Sequence, residues 1–111
     1  MKNQDYWKII NHINKKFCKN KIKINKIIFP SRIINPNKDK GTTYGYYEMK
    51  GKVIAILKDA PVIDKLETLI HELTHAYQHQ VLGKKFSHNE HGWEMFKKFK
   101  KESDKILRIS V

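Results

Sequence analysis

Apolar residues recur at helical spacing near the start of the chain. Trp7, Ile10, Ile13 and Phe17, with Ile9 beside them, share one face over residues 5–17 and predict an amphipathic helix. From Lys21 the pattern changes. Ile22, Ile24, Ile27, Ile28 and Phe29 are β-branched or aromatic and partly alternate, which predicts a strand ended near Pro30. Ile33 and Ile34 extend that strand or begin another. Asn35–Gly41, with Pro36, Asn37 and Asp39, is turn chemistry. Thr43–Glu48 and Lys52–Leu57 then read as two strands. Met49-Lys50-Gly51 joins them as a β-hairpin in which Gly51 is available for a left-handed position.

After Pro61 the period returns to that of a helix. Val62, Leu66, Leu69, Ile70, Leu73, Tyr77 and Val81 form one stripe, predicting the main helix over residues 62–82, and Gly83 suits the position just past its end. Lys84–His88 reads as a loop. Asn89 can cap a last helix whose apolar side is Trp93, Phe96, Phe99 and Ile106. Trp7, Trp93, Phe96 and Phe99 are read as core aromatics, and His12 as a surface residue. The order helix, strands, helix, helix predicts an α+β fold with a small antiparallel sheet. Nothing in the pattern marks a linker or a repeat, so residues 1–111 are read as a single domain.

The main helix carries the chemistry. Five of the six histidines lie between positions 71 and 91, and His71-Glu72-Leu73-Thr74-His75 is an H-E-x-x-H motif. Residues four apart on a helix stand one above the other, so both imidazoles can reach one metal ion, with Glu72 on the flank beside a water. With Leu66 as the centre of the stripe, His71 and His75 fall on roughly the opposite side. The bland alternative is a solvated face shared with Asp64 and Thr68. A random chain of this composition holds the motif with a chance of only about two in a hundred. A catalytic zinc usually has three protein ligands and an open position. Val81 stands where a metzincin needs its third histidine, and His79 is about 12 Å along the axis from His71, too far on a straight helix. His88, Glu90, His91 and Glu94 remain for that ligand, with His91 at the head of a helix that can fold back over the first.

Composition narrows the setting. The 111 residues hold one cysteine, Cys18, which excludes an internal disulfide and a cysteine-rich metal site and points to a reducing compartment, cytoplasmic or nucleoid/nuclear. The longest apolar run, Val53 to Leu57, is far short of the roughly 20 residues a bilayer needs, and the N-terminus has no secretory core, so the protein is expected off the membrane and not secreted. The formal charge of +12 suggests a polyanionic partner such as DNA, although lysine supplies nearly all of it and an AT-rich coding bias yields the same balance. The scarcity of arginine speaks against base reading. Lys97, Lys98, Lys100 and Lys101 are the densest cluster and the expected part of a non-specific DNA surface.

The run His71-Glu72-Leu73-Thr74-His75-Ala76-Tyr77, followed by His91-Gly92-Trp93-Glu94-Met95-Phe96, resembles the SprT-like zinc metalloprotease family. That family pairs H-E-x-x-H with a downstream H-G-x-x-F type segment. Met95 occupies the place of the family's aromatic, and Phe96 comes one later. The resemblance spans roughly residues 22 to 103. It implies a zincin-like minimal domain with a strand pair just before the zinc helix. It also implies one Zn2+ per chain held by His71, His75 and His91, with Glu72 as catalytic acid/base. The expected activity is zinc-dependent hydrolysis of peptide bonds, with DNA-bound or DNA-crosslinked proteins as substrates, by a monomer. Oxyanion stabilisation is open among Tyr44, Tyr46, Tyr47 and His88, and an edge strand can bind an extended peptide by strand addition. The alternative is a zinc-containing DNA-binding or regulatory module with little proteolytic activity.

Overall fold

The computed structural model describes residues 3–33, 44–83 and 90–110, and the side chains of all of these except 90, 91 and 107–110. Their order is α1 (Asn3–Phe17), β1 (Lys26–Ile28), β2 (Gly45–Glu48), β3 (Val53–Ile56), α2 (Val62–Gln80) and α3 (Glu90–Ser110), an α+β arrangement. The three predicted helices, the strand before Pro30 and the hairpin are present, and the helices start or stop within two or three residues of the predicted bounds; Ile34, the Asn35–Gly41 turn, the Lys84–His88 loop and the Asn89 cap lie outside the described residues.

The sheet differs from the expected antiparallel one. Its strand order is β1-β3-β2, with β3 antiparallel to β2 and parallel to β1. The reason lies in β3 itself. Val53-Ile54-Ala55-Ile56 is the most buried strand and takes the centre, so β1 can join only at the edge that the hairpin leaves open. The long connection between β1 and β3 allows them to run parallel. β1 is also shorter than predicted. Ile22 is buried, but outside any strand: the Asn14 side chain accepts from Ile22 N–H at 3.0 Å and donates to Ile22 C=O at 2.6 Å. One amide thus gives that residue the two bonds a neighbouring strand would have given.

At the hairpin, the left-handed residue is Lys52 (φ 55°) rather than Gly51. Gly51 serves close approach instead. Its N–H donates to the Glu48 carboxylate at 2.7 Å, and a Cβ there would collide with that same carboxylate. Gly83, with φ 64°, ends the main helix in the predicted manner.

The core joins all the elements. Ile9, Ile10 and Ile13 of α1 meet Ile54 and Ile56 of the sheet, Leu69, Ile70 and Leu73 of α2, and Phe99 of α3 in one cluster. α2 runs through the middle, packed against β2 and β3 and also against α3. Its first turn is the exception, since Val62 of the predicted stripe is exposed, as is Ile63 beside it. Trp93 is likewise no core aromatic: it is 55% exposed. The buried side of α3 is centred on Phe99, with Gly92, Ser103 and Ile106, and Trp93 lies about 120° around the helix from it.

Candidate metal centre

The H-E-x-x-H segment lies midway along α2, where the sheet covers one side and α3 the other. The covering explains an unusual density of buried polar groups: Thr68, Glu72, Thr74, His75 and Gln78 are all buried. Burial of this kind costs free energy unless each group has a partner. Thr74 Oγ1 donates back to Ile70 C=O at 2.8 Å. The face opposite the apolar stripe is therefore covered at Thr68, Glu72, His75 and Gln78, while Asp64 and His71 stay half-buried.

His71 and His75 converge there. Their Nε2 atoms stand 3.0 Å apart, with the rings edge-to-face at 4.6 Å between centroids. Two nitrogens on a tetrahedral zinc, each at 2.0–2.1 Å, are about 3.3 Å apart, so the spacing is close to one edge of such a site. His75 is 2% exposed and directs its other nitrogen at Gln78: Nδ1–H donates to Oε1 at 3.0 Å. That bond favours the tautomer with its lone pair on Nε2, the atom turned toward His71, which is the role an outer-shell acceptor performs in metal sites. Glu72 is 1% exposed, and one ligand atom from each of His71, Glu72 and His75 lies within 4.8 Å of the others. This group can hold a metal ion.

α3 approaches from above. The Phe96 ring meets the His71 ring at 6.2 Å, which restrains the more open of the two imidazoles. His91 lies in the first turn of this helix, but its side chain falls outside the described residues, as do the Glu90 side chain and the whole of His88. Glu94 is exposed on α3 and does not join the donor group.

A cleft of about 450 Å³ opens beside His71, between the start of α2 and α3. Tyr44, Thr68, Trp93 and Phe96 form its walls, with Asp64, Glu67, Lys97 and Lys100 around them. Of the three candidate tyrosines, Tyr44 alone lines this cleft. Tyr46 is half-buried on β2 and not part of the lining. Tyr47 is buried in the helix–sheet core, accepting from Gln80 Nε2 at 2.8 Å and donating to His79 Nδ1 at 2.9 Å. Desolvation by burial pushes its phenol upward. The same bond accounts for His79. Gly45 brings β2 against α2 at this point, since a Cβ there would collide with Ala55 C=O and the Thr68 methyl.

The four clustered lysines are not equivalent. Lys100 donates to Glu67 at 2.8 Å, which raises its pKa, and Lys97 lies over the Trp93 ring at 5.8 Å. Lys98 and Lys101 are exposed. Sequence reading missed Gln78, although its position three after His75 puts it on the same helix face. It also missed Glu102, described below, whose partners lie on another helix.

No family model, curated protein or solved structure matches the chain. Among the described residues no helix is long and apolar enough to cross a membrane.

Proposed function

We propose that this chain is a zinc-dependent metallopeptidase of the SprT-like kind. One observation carries the reading: two imidazole Nε2 atoms converge at 3.0 Å beside a buried carboxylate, and the outer nitrogen of His75 is held by Gln78. The donor set suits zinc, with His91 of α3 as the third ligand implied by the resemblance. When bound, zinc supplies a Lewis acid that acidifies water and polarises a carbonyl. Glu72 accepts the proton of the attacking water and returns it to the leaving amine. Tyr44 is the hydroxyl best placed to donate to the developing oxyanion, because it borders the same cleft as His71. Among the described residues β2 is the outer strand of the sheet, the position from which an extended peptide can be aligned by strand addition. The charge of +12 and exposed Lys98 and Lys101 support non-specific contact with DNA, with DNA-bound proteins as the substrates.

Metal analysis combined with a cleavage assay tests the proposal. Protein offered zinc and dialysed should retain about one zinc per chain, and His75→Ala should lose it. Cleavage of an unfolded protein substrate should require that zinc and rise when duplex or single-stranded DNA is added. Retained zinc without cleavage under any condition favours the regulatory-module reading. Cleavage indifferent to DNA removes DNA from the function and leaves the peptidase.

A further inference from the structure

Beside the metal centre, the aromatic cleft has features that the hydrolytic step does not use. Trp93 and Phe96 stack almost parallel, 7° apart in plane and 5.2 Å between centroids. Phe96 in turn touches His71, so the two rings form a continuous wall from the metal ligand outward to a Trp that is 55% exposed. Two stacked aromatic rings bordering a cleft form a contiguous apolar surface of the kind that receives a ligand. Tyr44 faces the cleft from the sheet side. The volume of about 450 Å³ lies in the range of small-ligand sites and accommodates one large side chain with its adjoining backbone.

Charge selects the occupant. Two carboxylates, Asp64 and Glu67, face two ammonium groups, Lys97 and Lys100, so the lining is balanced. Glu67 is taken up by Lys100, and Lys97 lies over Trp93. A charged side chain entering this space loses its water and, whichever its sign, meets a like charge, Lys97 or Asp64, alongside the opposite one.

We infer that this cleft is the specificity pocket of the proposed peptidase, and that it takes one large uncharged side chain, aromatic or long aliphatic, next to the scissile bond. Trp93 and Phe96 stack on that side chain and Tyr44 closes the opposite wall. The inference rests on the peptidase reading for its location beside the scissile bond, and on the cleft alone for its chemistry.

Binding and cleavage test the two parts separately. Zinc-loaded Glu72→Gln protein is titrated with short blocked fluorescent peptides that differ at one central residue, Phe, Leu, Lys, Asp or Gly, and binding is read by anisotropy. The Phe and Leu peptides should bind about tenfold or more tightly than the Asp and Lys peptides. Trp93→Ala should erase that preference with zinc content unchanged, and Trp93→Phe should restore much of it. Equal binding of all five peptides overturns the pocket. So does a short oligothymidylate that competes for the cleft while the peptides do not, which makes it a base-stacking platform. Cleavage by the parent protein reports on the other reading. If the parent cleaves without preference, the pocket fails and the peptidase stands; if it cleaves nothing while the Phe preference persists, the peptidase fails and the pocket stands.

Discussion

Glu72 on α2 and Glu102 on α3 are both buried carboxylates in helices, yet their surroundings are opposite. Around Glu102 the chain gathers basic side chains: Lys16 at 2.8 Å, His12 at 3.2 Å and Lys105 at 3.8 Å. Two of these come from α1, so the carboxylate pins the first helix to the last. Around Glu72 the nearest metal-capable groups are two imidazoles, one of them oriented by an amide, at the inner end of an open cleft. The first arrangement neutralises a charge and holds two helices together. The second brings together ligand atoms of the kind that hold a metal ion. Paired burial of a carboxylate serves architecture, and burial among ligand atoms serves chemistry.

The sharpest way to break this comparison is to remove each charge without changing shape. Glu72→Gln should lower turnover by roughly 10²–10⁴-fold, the span a general base provides, with zinc still bound. The melting temperature of the metal-free protein should not fall, because functional carboxylates are held at a cost to stability rather than for its benefit. If Glu72→Gln destabilises the metal-free fold while leaving cleavage intact, Glu72 belongs with Glu102 and the assignment of its role is wrong. Steady-state kinetics, zinc content and thermal unfolding of one preparation decide this.

Gln78 sharpens the same contrast one step further out. It touches His75 and need not touch substrate, so its effect should appear in the metal. Gln78→Ala should weaken zinc affinity by about 10–100-fold, as loss of an outer-shell acceptor does elsewhere. Gln78→Glu should retain affinity, because a carboxylate accepts from Nδ1–H at least as well. Competition with a chromogenic chelator measures both. Equal affinity in the parent and Gln78→Ala would mean that the 3.0 Å bond does not orient the ligand.

How much of this was legible beforehand follows from the range of each interaction. The histidine pair and Glu72 are four residues or fewer apart on one helix, and periodicity alone puts them on one face. The hairpin and Gly83 are also local, and each was visible in the sequence. Facts that depend on packing were not. Val53-Ile54-Ala55-Ile56 is simply apolar, and nothing in it says that β1 will run parallel beside it. Trp93 looks like a core residue by type, yet the α3 face centred on Phe99 leaves it outside. Tyr44, Tyr46 and Tyr47 were equivalent candidates until the strand register turned Tyr47 inward and left Tyr44 at the cleft. Glu102 stands more than eighty positions from His12 and Lys16, and no sequence pattern relates it to them.

That last cluster gives the smallest expected effect and the clearest pH signature. Lys16, then His12, donates to the Glu102 carboxylate and lowers its pKa from 4.5 to about 2, against a smaller opposing effect of burial. A carboxylate depressed in the folded state binds its proton more readily when unfolded. Its contribution is therefore complete above about pH 4.5 and disappears as pH falls toward about 2. The cationic partners are roughly half exposed, so water screens the pairs and the contribution is small, about 1 kcal/mol. Glu102→Gln should lower stability by that amount at neutral pH, and parent and variant should converge as the pH approaches 2. Denaturant unfolding of metal-free protein across this range measures it. A gap of constant size down to the lowest pH would mean that Glu102 stabilises the α1–α3 seam by shape, and that the pairing of its charge is incidental to the fold.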